Sequence, residues 1–368
     1  DVKVDSKCLM SAGGTTEKPV DGIQISRVTG TCERGSVIQN ARNVVLKDIN
    51  LEDVSGPLYF TNNVTGTGLE DAEPLPGKLN GNGAQKPASR TAVKVVQLKG
   101  DAGGPNFDGI GVVDGGGATS VLLKDYPEPQ RSQILDMLYK PKFGASLSAL
   151  LVEIPGDGNS TQGSMPSHMH TRDDLNYHRG YTWWVLKEAR QRNSNLTLDA
   201  NVWSAPGWID NGNFWSQDAA NYDLKWLQGL RQVDGLELDA IGCRNEKGTS
   251  HDFAEGLRAT LDANGFKKVK IHAFDNWPKN KLDFVNDMMT DGKLRKAIDI
   301  ISAHTFTSVP ASTEVQAMAA SMNKPIWNTE EHVYLKGFDC AIGIVHAFNE
   351  NFIRSGVTKI VNWYGIAG

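Results

Sequence analysis

From about residue 93 onward, short apolar runs alternate with longer amphipathic stretches, and this alternation constrains the fold more than any single motif. Strand-length runs lie at 109–113, 149–154, 196–203, 240–244, 269–274, 300–304, 325–329 and 359–363. Helical patterns fall between them at 127–139, 176–193, 219–233, 251–264, 283–297, 312–322 and 339–355. A strand that is apolar on both faces has to be covered on both faces, which implies a parallel sheet under helices. Eight such units favour a closed α/β barrel of the TIM (β/α)8 type over an open doubly wound sheet. No GxGxxG string follows a strand in the right context, which counts against nucleotide-binding α/β folds. The sequence stops at Gly368, just past the eighth strand. The barrel is therefore expected to lack its last helix, as a fragment would, or to have the gap covered by an N-terminal module.

The first part of the chain has a different texture. Residues 23–29 align with 44–50 at an offset of 21, matching Ile23 with Val44, Ile25 with Leu46 and Val28 with Ile49. A period near twenty with alternating apolar positions is what stacked β-solenoid coils require. A small sheet packed beside the barrel is the alternative. Val28-Thr29-Gly30-Thr31-Cys32 and Asn43-Val44-Val45-Leu46-Lys47-Asp48-Ile49 resemble the last coils of polygalacturonase-type right-handed β-helices, but that family's paired-Asp motif is absent. The expected organisation is a β-rich, solenoid-like segment over 1–70, a Gly/Asn/Pro-rich linker over 71–92 and a barrel over 93–368.

Several function classes are disfavoured by composition. A formal net charge of −5 and the lack of a basic stripe argue against nucleic-acid partners. The longest apolar runs are strand-sized, so no transmembrane segment is expected. The four cysteines (Cys8, Cys32, Cys243, Cys340) show no CxxC spacing. His168 and His170 are spaced for a metal on a strand but lack a third ligand, so a role in loop structure is expected. Neither a metal nor a cofactor is anticipated.

In barrels of this type, chemistry sits at the C-terminal ends of the strands. The fourth strand leads to Cys243-Arg244-Asn245-Glu246, and the seventh leads to Asn328-Thr329-Glu330-Glu331. Carboxylates on these two strands face each other across the mouth. Glycoside cleavage needs such a pair, one to protonate the leaving oxygen and one to attack the anomeric carbon, about 5–5.5 Å apart when configuration is retained. The acid must hold its proton near neutral pH, which a second carboxylate close by favours. Asn245 is suited to bond a sugar 2-hydroxyl. An Arg244 guanidinium facing the acid would favour the ionised carboxylate and oppose proton donation, whereas pointing outward it would not.

At these residues the chain resembles the galactocerebrosidase (galactosylceramidase) family of retaining β-galactosidases, over about 107–368. The strings that carry the resemblance begin with Asp108-Gly109-Ile110-Gly111 and Gly115-Gly116-Gly117-Ala118-Thr119-Ser120. Tyr126-Pro127-Glu128-Pro129-Gln130-Arg131, Phe143-Gly144-Ala145-Ser146-Leu147 and Gly156-Asp157-Gly158 follow. Pro166-Ser167-His168-Met169-His170 and Trp203-Ser204-Ala205-Pro206-Gly207-Trp208 complete the set. The resemblance implies that Glu246 is the acid/base and Glu330 the nucleophile, with Glu331 as the fallback on the opposite face of the strand. It places sugar contacts at Gly111 or a glycine of 115–117, Thr161, Trp203 and Asn245. It also pairs Cys340 with a cysteine downstream of Gly368, and it includes later domains that lie beyond this sequence.

Independently of the family, Trp363 on the eighth strand reads as either a sugar platform or barrel core. His304, ending the sixth strand, reads as a hydrogen-bond partner of a catalytic carboxylate or of the sugar, or as a satisfied structural histidine. The expected partner is a carbohydrate or glycolipid substrate, and a lipid-presenting protein is a further option for the latter. The alternatives are a retaining β-glycosidase with another sugar specificity and a carbohydrate-binding protein without turnover. The substrate class points to an extracellular, periplasmic or lysosome-like compartment.

Overall fold

The computed structural model describes residues 2–75, 103–115, 119–161 and 163–366. Contacts divide the chain into two compact units, Asp1–Leu98 and Lys99–Gly368. Most of the expected linker lies outside the described residues.

Among the described residues, the first unit is a parallel sheet of seven strands: β1 (Val2–Ser6), β2 (Ser11–Gly13), β3 (Val20–Asp21), β4 (Gln24–Cys32), β5 (Arg34–Glu52), β6 (Ser55–Thr67) and β7 (Glu73–Pro74). Its order is β1-β4-β5-β6-β7, and β2 and β3 also pair with β5. β4 pairs with β5 in the register Ile25 to Leu46 and Val28 to Ile49, which is the 21-residue offset of the sequence repeat. Each coil thus lays its inward side chains on the next. Ile38, Ala41, Val44, Leu46 and Tyr59 form the buried centre. At one corner Asn40 and Asn63 both adopt positive φ, and the Asn63 amide donates to Asn40 Oδ1 at 2.9 Å. Asparagine tolerates this left-handed backbone better than a bulkier residue. The β-rich region extends to β7, slightly past residue 70.

The second unit is a closed eight-stranded parallel barrel: β8 (Gly109–Asp114), β9 (Ala149–Ile154), β10 (Thr197–Val202), β11 (Ala240–Gly242), β12 (Lys270–Asn276), β13 (Ile300–His304), β14 (Ile326–His332) and β15 (Val357–Trp363). Helices cover its outside. Ser216, Ser250 and Ser312 cap three of them, each accepting from a backbone N–H one turn on. Among the described residues no helix follows β15.

The barrel interior is not simply apolar. Lys359 donates to Asp199 at 2.7 Å, His272 bridges Asp199 (3.0 Å) and Asp275 (2.9 Å), and all four side chains are fully buried. Thr329 donates to Asp275, linking this column to β14 just below the mouth. The Lys359 ammonium also lies 3.7 Å over the Trp327 ring. Two positive and two negative groups in contact offset one another's desolvation, as buried charges must.

Candidate active site

Glu246 does not sit on regular strand. β11 ends at Gly242, and the chain turns through Cys243 and Arg244 to Asn245 and Glu246, where φ is +53°. The turn is pinned from both sides: Asn245 N–H donates to the Val202 carbonyl at 2.9 Å and Glu246 N–H to the Asp275 carbonyl at 3.1 Å. Asn276 bonds both the N–H and the C=O of Gly248, fixing the turn's far end. Arg244 points away from the mouth. Its guanidinium lies 4.2 Å over the Phe214 ring, and the acidic side chain acting on it is Asp223 of the covering helix, whose carboxyl pKa is pushed up by burial. The acid is therefore not faced by this cation.

Glu330 reaches the mouth through a bulge. β14 pairs with β13 as Ala303 to Asn328 and then His304 to Glu330, leaving Thr329 as the extra residue. A bulge lets two successive side chains share one face. Thr329 and Glu330 both face inward, toward Asp275 and His304 respectively. Glu331 is turned outward and buried, accepting from Thr307 N–H and from the Asn328 and Asn351 amides at 2.8–3.2 Å. The bulge thus separates two adjacent glutamates into one at the mouth and one in the wall.

The two carboxylates converge on His304. His304 Nδ1 lies 3.0 Å from Glu246 Oε1 and 4.0 Å from Glu330 Oε1. One ligand-type atom from each of Glu246, His304 and Glu330 lies within 4.8 Å of the other two. Burial works against the charged imidazole of His304, but Glu330, Glu246 and Asp275 outweigh it and raise its pKa. The cluster has the spacing for a divalent cation, and His304 Nδ1 would serve either such an ion or a hydrogen bond to Glu246, not both. Lys281, in the segment after β12, donates from its ammonium to the His304 carbonyl and packs 4.1 Å from the Phe306 ring. Burial lowers the Lys281 pKa to about 7, against the pull of Glu331.

Among the described residues, Glu330 and Asn245 each leave one acceptor over. Glu330 Oε2 and Asn245 Oδ1 are buried with no hydrogen-bond partner. A buried acceptor without a donor is costly, so water or a ligand's hydroxyl has to satisfy these atoms. Trp203 and Trp363 lie 6.3 Å apart at the ends of β10 and β15, packed on Val113, Leu151 and Val361. Trp363 is 6.2 Å from the ring of His332, which in turn contacts Glu330 at 2.7 Å.

Asn245, Glu246, His304 and Glu330 are therefore brought together, with Trp363 beside them and Trp203 against Trp363. Gly111 is not at the mouth. It lies within β8, where an added Cβ would fall 2.5 Å from the Ala149 carbonyl oxygen, so its glycine serves close strand approach. Thr161 is exposed in the loop after β9 with φ +59°. Glycines 116 and 117 lie outside the described residues. His168 is a loop anchor, bonding the Tyr222 carbonyl at 3.0 Å, with burial lowering its pKa to about 3. His170 bonds Asp157 at 2.9 Å. Sequence reasoning missed His332 and Tyr334, although alternation from Glu330 along a strand is the signal that finds His332.

A sequence model for glycosyl hydrolase family 59 matches residues 107–368. The chain is similar to galactocerebrosidase of Homo sapiens, 42% identical over 273 residues, covering 73% of this chain and 38% of that protein. It is also similar to galactocerebrosidase of Salmo salar, 40% identical over 272 residues, covering 72% of this chain and 39% of that protein. The chain thus spans well under half the length of these curated relatives. Among solved structures, SrfJ from Salmonella typhimurium superposes with a TM-score of 0.58 at 20% identity, over 70% of this chain and 65% of that one. The catalytic domain of GH30 xylanase C from Talaromyces cellulolyticus gives 0.55 at 17% identity, over 71% and 68%. At such identities these two likenesses show a shared fold.

Proposed function

The chain belongs to glycosyl hydrolase family 59, and from that membership we propose that it is a retaining β-galactosidase in which Glu246 is the general acid/base and Glu330 the nucleophile. The observation that carries this reading is the carboxylate spacing. Oxygens of Glu246 and Glu330 within 4.8 Å of each other suit direct attack by one carboxylate. In an inverting pair the carboxyl groups as a whole are set wider, about 6.5–9.5 Å apart, to admit a water.

In the first step Glu330 Oε2 attacks the anomeric carbon while Glu246 gives its proton to the glycosidic oxygen. The bond from the anomeric carbon to that oxygen breaks, and the sugar is held as an ester of Glu330. Glu246, now ionised, takes a proton from water. The resulting attack on the anomeric carbon cleaves the ester and restores both groups. His304, bonded to Glu246 and near Glu330, orients the pair and offsets charge as the proton moves. Asn245 Oδ1 accepts from a sugar hydroxyl, and the two tryptophans offer aromatic faces to the apolar side of the ring.

The relatives' names supply galactose as the sugar. For the aglycone, Tyr334, Leu335 and Phe338 are exposed in the segment that follows Glu330, at 79%, 53% and 79%. That apolar stretch suits an amphiphilic β-galactoside such as galactosylceramide, delivered by a lipid surface or a presenting protein. Such a substrate places the enzyme in an extracellular, periplasmic or lysosome-like compartment. Hydrolysis of an aryl β-D-galactoside between pH 4 and 7 is the test, comparing the intact chain with Glu330→Gln. Activity lost in the variant is expected. Equal activity in both would mean that Glu330 is not the nucleophile.

A further inference from the structure

Resting on the glycosidase reading above, we propose that His332 is a positioning residue for Glu330, held in turn by Tyr334, and that this three-residue chain selects which carboxylate oxygen attacks. β14 continues past its bulge to His332, so Glu330 and His332 share a face, and Tyr334 follows in the segment just after the strand. His332 Nε2 lies 2.7 Å from Glu330 Oε1, and His332 Nδ1 lies 2.9 Å from the Tyr334 hydroxyl. The rings of Trp363 and Tyr334 flank the imidazole at 6.2 and 5.2 Å.

Donor and acceptor chemistry fixes the sense of the chain. An ionised carboxylate only accepts, so Nε2 carries the hydrogen toward Glu330. With the ring neutral, Nδ1 has a lone pair, which the Tyr334 hydroxyl satisfies by donating. Tyr334 thereby selects the tautomer that can donate to Glu330. Oε1 is clamped and Oε2 is left without a partner, although Glu330 as a whole is only 5% exposed. A nucleophile needs this arrangement, with one oxygen fixed and the other bare and aimed. Without the clamp the carboxylate can rotate and present Oε1 and Oε2 interchangeably. A misplacement of about 1 Å can cost about 100-fold in rate.

The experiment compares the full chain with His332→Phe, His332→Gln and Tyr334→Phe. His332→Phe keeps a ring and removes the donor, so kcat should fall about 10- to 100-fold. The rate of covalent labelling by a 2-deoxy-2-fluoro-β-galactosyl fluoride should fall in step, while Kd for galactose should change less than about threefold. His332→Gln, whose amide can donate, should recover part of the loss, and Tyr334→Phe should lose less than His332→Phe. Nitrogen-15 NMR of the imidazoles supplies a readout without turnover: the His332 ring should be the Nε2–H tautomer in the intact chain and a mixture in Tyr334→Phe. Wild-type kcat in His332→Phe, loss of kcat and galactose binding together, or a hydrogen on Nδ1 would each overturn the proposal. If the intact chain cleaves no β-galactoside, the functional reading fails, and the NMR result still decides the hydrogen-bond chain.

Discussion

At the residue scale the site divides labour between two carboxylates by what each one touches. Glu246 faces His304 Nδ1 at 3.0 Å, while Glu330 has one bonded oxygen and one bare one. If Glu246 supplies the proton, the cost of Glu246→Gln depends on how much the leaving group needs it. For an alkyl β-galactoside kcat/KM should fall about 100- to 10,000-fold, and for a dinitrophenyl galactoside markedly less. Equal losses with both leaving groups would remove Glu246 from the acid role. Deeper in the barrel, burial opposes charge on His272, but Asp199 and Asp275 overcome it and lift its pKa to about 10. A folded-state pKa above the ordinary 6.5 contributes stability in full below pH 6.5, and that contribution drains away as pH rises through about 10. His272→Gln should therefore destabilise strongly at pH 6, by about 3–5 kcal/mol for breaking a buried ion pair. The penalty should shrink at pH 10. Denaturant unfolding at both pH values checks this, and a penalty that stays constant or grows would contradict the charge assignment.

At the element scale the decisive feature is the bulge in β14, because it sends Glu331 into the wall with three N–H donors of its own. Each buried donor left without its acceptor costs about 1–3 kcal/mol. Glu331→Ala should thus lower the melting temperature by roughly 5–15 °C. The protein that remains folded should keep covalent labelling at Glu330. Loss of labelling with an unchanged melting temperature would make Glu331 the reactive group instead. The alternation of strands and helices was legible in the sequence because the strands that build the wall are continuous apolar runs. Their ends were less legible. The fourth strand was expected over 240–244 but is regular only to Gly242, since Asn245 and Glu246 are held by side bonds outside the ladder. The seventh was expected to stop at 329 but continues to His332, because an acidic, polar stretch gives no hydrophobic signal. The helix expected over 283–297 is two helices, the second capped by Asp291, which accepts from Lys293 and Leu294 N–H groups. The Lys359–Asp199–His272–Asp275 column was not foreseen, since periodicity ranks positions by apolarity and cannot show that opposite charges meet inside.

At the scale of the whole molecule, two units stand on separate cores, one built on Ile38, Val44 and Tyr59 and the other on the packed strands and helices of the barrel. The solenoid repeat was legible at residue level because stacking forces like residues into register, and Ile25 does pair with Leu46. Separate cores predict two calorimetric transitions. A single transition that moves as one with galactose or with His272→Gln would show that the units unfold together. In the proposed reaction one bond is decisive, between a sugar carbon and Glu330. The most direct measurement is the mass of the intact chain after reaction with a 2-deoxy-2-fluoro-β-galactosyl fluoride, followed by mapping of the labelled peptide. A single sugar adduct on Glu330 is the predicted result. An adduct on Glu331, or none at all while aryl β-galactoside is still being cleaved, would contradict the account.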